Sequence, residues 1–423
     1  MVKIAKYKRI DKTLLLSMLA VLLFPLFPPI FGNNSFHIIP FAIFFSFLIL
    51  YKRNGIRFFI PKNNSTQFVF GFFSVTFLLL CISMYSDFYF KNSSLSSFFG
   101  LIKPIYLFIF FLIGYTSKIN DFKIVYTISV FFEIAIILSF SYAIVEIFFI
   151  ENFQELIYFL YKRQDRFVLI NKATGWFGVT YYFAYFCLFL FFYSFFMLSK
   201  IFNFKYLTLT ICSFIPLLLS QSRTVAVAFI VGFCIIPFMK FSKKNKNIYF
   251  LYFFFMSSII VLFISYFDFI FENFNYLYSG IFRLTEGIDL TGEGSVQIRL
   301  NQISSAWNNN LYKIIGFGLG REDMPLESIY ASYLYRFGAV YLLFYLFLIY
   351  YFHKISSKLA LFFKDKSIMY SFFSASSVFY LTSPISLFAA PSHEMPKIAF
   401  VIFIVSGVVY RFNYKLKHNI NFK

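Results

Sequence analysis

The chain is short of charge, and above all of acid. Of its 423 residues Asp and Glu supply 18 against 38 Lys and Arg, and charged residues make up only 13%. With 60% hydrophobic residues, 71 of them phenylalanine, and a mean hydropathy of +0.74, a water-soluble globular domain is excluded and a membrane protein is indicated. Cysteine is scarce as well. Cys81, Cys187, Cys212 and Cys234 all fall inside apolar runs, which argues against a disulfide framework or a thiolate metal centre. Histidine occurs four times with no cluster at ligand spacing. No metal and no cofactor is therefore expected, and His37 and His393, in "PSHEMP", are read as lone and structural. Apolar-polar alternation is also missing: "LFIFFLIG" and "AFIVGFCIIPF" are apolar on every side, which excludes an outer-membrane barrel and leaves helices.

Runs of about 20 apolar residues, the length that crosses hydrocarbon, recur from end to end. They fall at about 13–31, 35–51, 68–86, 98–116, 124–150, 178–199, 206–220, 224–240, 248–271, 326–352, 367–388 and 397–411, roughly twelve spans in one membrane domain over 1–423. The basic start "MVKIAKYKRIDK" precedes a run with no small-residue cleavage site, so it is read as leading into a first helix rather than a cleaved signal. A formal charge of +20 would point to nucleic acid in a soluble chain, but here it sorts by loop. With the N-terminus cytoplasmic, about 25 of the 38 Lys and Arg fall on the same side, in "KRNGIRFFIPK", "SKINDFK", "KIFNFK", "KFSKKNKN", "HKISSKLALFFKDK" and the two tails. This predicts an all-α polytopic protein with both termini inside, and no nucleic-acid partner.

Two outer loops are too long to be plain connectors. The first, 151–177, opens with "FQELIYFLY", suited to a short interfacial helix. The second, 272–325, contains Val296, Leu300, Ile303 and Trp307 at helical spacing, which predicts a short helix packed by that stripe on the membrane domain, with Arg299 at the stripe's edge. The long loop is expected to be functional. "GFGLG", from Gly316, has neither a preceding strand nor a lysine-serine sequel, so it is a flexible approach to the membrane rather than a nucleotide loop.

In "LSQSRTV" one arginine, Arg223, separates two apolar runs at an outward turn. It fits a headgroup anchor, or, with Ser220, Gln221, Ser222 and Thr224 beside it, a phosphate site for its planar fork. Further outer cations are Arg283, Arg299 and Arg321 in the second loop and Lys162, Arg163, Arg166 and Lys172 in the first; their convergence would make an outward anion site. Pro325 and Glu327 fall at the expected first turn of the tenth span, where a carboxylate favours the helix dipole. A general-base role for Glu327 would need burial. Lys103 and Glu146 fall at one outer depth, with Glu133 deeper, and a Lys103–Glu146 pair would be structural or line a substrate groove.

The layout, together with "KATGWFGVTYYFAYF", "SQSRTVAVAFIVG" and "RLNQISSAWNNNLYKIIGFGLG" leading into "ESIYASYLYRFG", resembles the O-antigen and capsule repeat-unit polymerases (Wzy) and their relatives the O-antigen ligases. Glu327 and Ser328 stand where the ligases have His-Asn, with Leu334 and Gly338 at the later positions of that motif, and the missing histidine speaks against a ligase. The resemblance implies that Arg223 and Arg299 handle the pyrophosphate of an undecaprenyl-linked glycan, with Arg283, Arg321, Arg166 and Lys103 as further substrate-binding candidates and Glu327 as base or orienting residue. It implies an enzyme of the bacterial inner membrane, working at the periplasmic face without a metal. The partners implied are an undecaprenyl-pyrophosphate-linked oligosaccharide, membrane lipid and a chain-length regulator. A ligase and a repeat-unit flippase are the alternatives; the long second loop tells against the flippase.

Overall fold

In the computed structural model the described residues are 10–26, 38–54, 64–89, 95–117, 119–161, 172–244, 246–265, 294–308, 316, 326–420 and 422. Most of the described residues are helical, and no strand occurs among them. In chain order the helices are α1 (Lys12–Leu23), α2 (Ile38–Asn54), α3 (Asn64–Tyr89), α4 (Leu95–Thr116), α5 (Asp121–Phe148), α6 (Ile150–Leu160), α7 (Thr180–Lys200), α8 (Phe204–Leu219), α9 (Arg223–Ile235), α10 (Lys246–Ser265), α11 (Gly294–Asn308), α12 (Ile329–Phe362), α13 (Ser367–Ser386) and α14 (Pro396–Lys417). Among them α5, α7, α12 and α14 are long and apolar enough to cross a membrane, and six shorter apolar stretches accompany them. The chain is an all-helical membrane protein.

The bundle is built around α7 and α14, which are buried along nearly their whole length, whereas α5 and α12 bury about half of theirs. α4 lies along α14, α12 along α13, and α13 in turn packs on α7 and α9. Between lipid-exposed helices burial of apolar surface supplies little drive, so close packing and ring contacts must do the work. Phe191 of α7 meets Phe229 of α9 edge-on at 5.0 Å, and Phe132 of α5 meets Phe189 of α7 at 5.1 Å. Where α4 crosses α14 the two backbones touch: a Cβ at Gly114 would collide with the Ile404 carbonyl, and one at Gly407 with the Phe111 carbonyl.

One end of the bundle is tied by ions. Asp121, fully buried, receives Arg411 Nε at 2.8 Å and Lys415 Nζ at 2.6 Å, and Arg411 also donates to the Ser117 and Ile119 carbonyls. Side-chain caps start the helices here and elsewhere. Asn120 accepts from Phe122 N and Lys123 N, Asn203 from Tyr206 N, and Ser328 from Tyr330 N.

Three expectations are corrected. The helix that begins near 326 does not stop at 352. Phe352, Ile355, Ser356, Leu359 and Ala360 recur at helical spacing and are buried while Lys354 and Lys358 face out, so "HKISSKLALF" extends α12 instead of forming a loop. Glu327 is not in the first turn of α12; Ser328 is the cap and Glu327 precedes it, which removes the first-turn dipole reading. The short helix α11 forms where it was expected, but its inward residues are Arg299, Gln302 and Ala306, while Leu300 and Trp307 are exposed. The predicted helix at the head of the first loop is present as α6, with Phe153, Leu156 and Phe159 exposed and its end fastened to the end of α1 through Leu26 N and the Leu160 carbonyl, 2.7 Å.

Candidate functional site

Arg166, Arg283 and Arg321, expected to bind substrate, lie outside the described residues, as do Lys162, Arg163 and Pro325. Lys103, Arg223, Arg299 and Glu327 all stand at the end of the bundle opposite Asp121. Hydrogen bonds between distant segments define this end: Ala173 N to the Leu219 carbonyl (2.9 Å), Lys397 Nζ to the Trp176 carbonyl (2.7 Å) and Ile329 N to the Leu387 carbonyl (3.2 Å).

Arg223 is the first residue of α9, following a turn in which Gln221 takes a left-handed φ of 51°. Ser220 serves the turn that precedes the guanidinium. Its Oγ donates to the Leu217 carbonyl (2.6 Å) and accepts from Ser222 N, and Ser220, Gln221 and Ser222 are buried. What the turn does bring to Arg223 is Lys172: burial lowers the Lys172 pKa, and the charge of Arg223 lowers it further. Two cations beside the positive pole of a helix give this turn a field that favours an anion.

Arg299 reaches inward from α11. Its Nη2 is 3.2 Å from Glu327 Oε2, and its Nε donates to the Ala389 carbonyl at 3.3 Å. Gln302, one turn on, accepts from the Glu327 amide at 3.1 Å. The pair thus clamps α11 to the start of α12, and the Glu327 side chain is half exposed (52%) while that of Arg299 is largely covered (13%).

Lys103 does not pair with Glu146. Glu146 is fully buried and accepts from Thr174 N (2.8 Å), Thr174 Oγ1 (2.5 Å) and Gly175 N (3.0 Å), fixing the 174–177 turn. Glu133 pairs with Lys205 at 2.7 Å. Lys103 Nζ instead lies 2.6 Å from Glu394 Oε2, in the short turn between α13 and α14. Tyr333 Oη donates to the other oxygen, Glu394 Oε1, at 2.7 Å and is 3.0 Å from His393 Nε2, while Tyr106 Oη donates to the Glu394 carbonyl. Burial would raise the Glu394 pKa, but Lys103, His393 and Arg336 outweigh it and hold the carboxyl down at about 2. Burial pushes His393 down to about 4.

Lys103, Glu394, Tyr333 and His393 form the mouth of a narrow cleft between α3, α4, α12, α14 and the 392–394 turn, lined also by Phe72, Phe73, Phe337 and Phe403. α12 is broken beside it: Gly338 has φ 81° and ψ 175°, outside helical geometry. Gly316 lies on the break, where a Cβ would sit 2.5 Å from Phe337 N and 2.6 Å from the Arg336 carbonyl oxygen, so glycine is required there. The first glycine of "GFGLG" thus lies directly against the α12 backbone.

Glu394, Tyr333 and Arg336 were not singled out by sequence. The signal for Glu394 was its place beside His393 between two apolar runs of a chain poor in acid. Its partner, 291 residues away, carries no local mark. Among the described residues no group of three or more His, Cys, Asp or Glu side chains is arranged to hold a metal ion. No protein-family model matches the chain, and no curated protein matches it either.

Proposed function

We propose that this chain is a membrane glycosyltransferase of the polysaccharide-polymerase kind. It transfers a growing O-antigen or capsular glycan from undecaprenyl pyrophosphate to the sugar end of a lipid-linked repeat unit, at the periplasmic face of a bacterial inner membrane. About twelve spans with both termini cytoplasmic would turn the Arg223 end outward. The observation that supports this most is that Lys172, Arg223 and Arg299, from three separate parts of the chain, stand at one bundle end. A departing pyrophosphate gains negative charge in the transition state, and pre-placed cations stabilise that charge without a metal. Glu327, half exposed and bonded to Arg299, is suited to orient that guanidinium rather than to take a proton.

The lipopolysaccharide or capsule ladder of a deletion strain tests this. Complementation with Arg223→Ala or Arg299→Ala should leave material bearing single repeats, with polymer reduced on the order of 100-fold, as for loss of one charge-stabilising donor; Glu327→Gln should reduce it less. Normal ladders from both arginine variants would sink the assignment. Loss of all attached glycan in the deletion strain would favour a ligase, which uses the same donor with a lipid A-core acceptor.

A further inference from the structure

The cluster at the cleft mouth carries a consequence for proton transfer. A tyrosine hydroxyl has one proton, and Tyr333 directs it to Glu394 Oε1 at 2.7 Å, where a carboxylate can only accept. The 3.0 Å contact between Tyr333 Oη and His393 Nε2 is then a donation from Nε2–H to the tyrosine oxygen. This fixes the tautomer: Nε2 carries the proton and Nδ1 keeps its lone pair. Nδ1 is buried and has no hydrogen-bond partner among the described residues, although His393, 3% exposed, lines the cleft. Several buried polar side-chain atoms lack a partner among the described residues, and Nδ1 is an acceptor among them on a residue that lines the cleft, where a donor from outside the protein would satisfy it. Glu394 is held from its other side by Lys103 Nζ at 2.6 Å, so the chain Lys103, Glu394, Tyr333, His393 is fixed from end to end. It has the logic of a base oriented by a carboxylate, with a tyrosine between them.

We propose that His393 Nδ1 receives the hydroxyl proton of the acceptor sugar, which makes His393, not Glu327, the catalytic base. The proposal rests on the polymerase reading above. In the step, the acceptor oxygen forms a bond to the anomeric carbon of the donor glycan, and the bond from that carbon to the pyrophosphate oxygen breaks. The electron pair leaves with the pyrophosphate, and the hydroxyl proton passes to Nδ1. The imidazolium so formed is stabilised through Tyr333 by the Glu394 carboxylate, and it returns its proton to the departing pyrophosphate or to solvent. The neutral imidazole at rest accords with its burial. Tyr333, Phe337 and Tyr345 line the same cleft, and the Tyr345 ring lies 5.0 Å from that of His393.

The test compares His393→Gln, whose side-chain amide can still donate to Tyr333 but offers nothing at the Nδ1 position, with Tyr333→Phe, which keeps Nδ1 but frees the tautomer. Both are assayed as purified full-length protein in proteoliposomes, with undecaprenyl-pyrophosphate-linked repeat extracted from the deletion strain as substrate. General-base removal costs about 100-fold or more. His393→Gln should therefore lose about 100-fold in kcat with KM little changed, and Tyr333→Phe should lose about tenfold. Should His393→Gln fail to accumulate, Tyr333→Phe carries the test by the same split. Wild-type turnover in either variant, or a loss confined to KM, overturns the proposal. If the arginine variants are inactive while His393→Gln is normal, this inference alone fails. If wild-type protein does not extend the lipid-linked repeat, the polymerase reading fails and this inference falls with it.

Discussion

At Glu146 a fully buried carboxylate takes three donors from a single turn, Thr174 N, Thr174 Oγ1 and Gly175 N. The two amides in particular need an oxygen that accepts, because a backbone N–H can only donate. Glu146→Leu keeps the bulk but leaves the buried Thr174 and Gly175 amides without their acceptor, in a turn where Gly175 has φ 55°. The expected loss is about 2 kcal/mol or more, read as a lower melting temperature in detergent. Because the same turn carries Lys172, a fall in turnover should accompany it. The residue scale is also where sequence reading reached its limit. Depth along an apolar run put Lys103 level with Glu146, but Glu394 lies at that level too, and only packing of α4 against the turn before α14 decides between them. Arg223 and Arg299 were legible because each is a rare charge in an apolar or long-loop setting.

At the scale of elements, the α4–α14 crossing depends on Gly114 and Gly407. Alanine in a helix is ordinarily worth about 1 kcal/mol over glycine, which would make Gly407→Ala stabilising. Here the new Cβ would meet the Phe111 carbonyl and the Tyr115 amide, backbone atoms that cannot swing aside, and overpacking of this kind costs about 1–3 kcal/mol. The expected net effect is destabilising, with Gly407→Leu worse than Gly407→Ala; a melting temperature at or above wild type for both would contradict the crossing. Helix existence and type were readable from apolar runs, and α11 from its spacing. The face that α11 buries was not readable, because in a membrane protein an apolar stripe can point to lipid as well as to the core. The end of α12 was missed for the opposite reason: lysines marked a loop, yet they occupy one side of a helix whose other side is buried.

For the molecule as a whole, the two ends have different chemistry: Asp121, Arg411 and Lys415 lock one, and the other gathers Lys103, Lys172, Arg223, Arg299 and Arg336 with few acids. The depressed groups at the second end set a pH response. His393 lies at about 4 when folded against an ordinary 6.5, so between these values the unfolded chain binds a proton that the folded one refuses, and stability falls as pH drops from 6.5 towards 4. Glu394, at about 2 against 4.5, adds stability that is present above 4.5 and is lost as pH falls through 2. The melting temperature should therefore drop between pH 7 and 4, and His393→Gln should flatten that slope; a rise on acidification would contradict the buried neutral imidazole. The break in α12 at Gly338 has a consequence of its own. It lies nine residues into the helix, roughly 14 Å at 1.5 Å per residue, about half the thickness of the hydrocarbon. Peptide groups freed from a helix ladder at that depth cannot face acyl chains, and these do not: Gly338 is buried, and Gly316 lies against the Phe337 amide and the Arg336 carbonyl just before it. A segment distant in sequence thus plugs the gap in α12, so that shortening or displacing it would uncover raw backbone in the middle of the bundle.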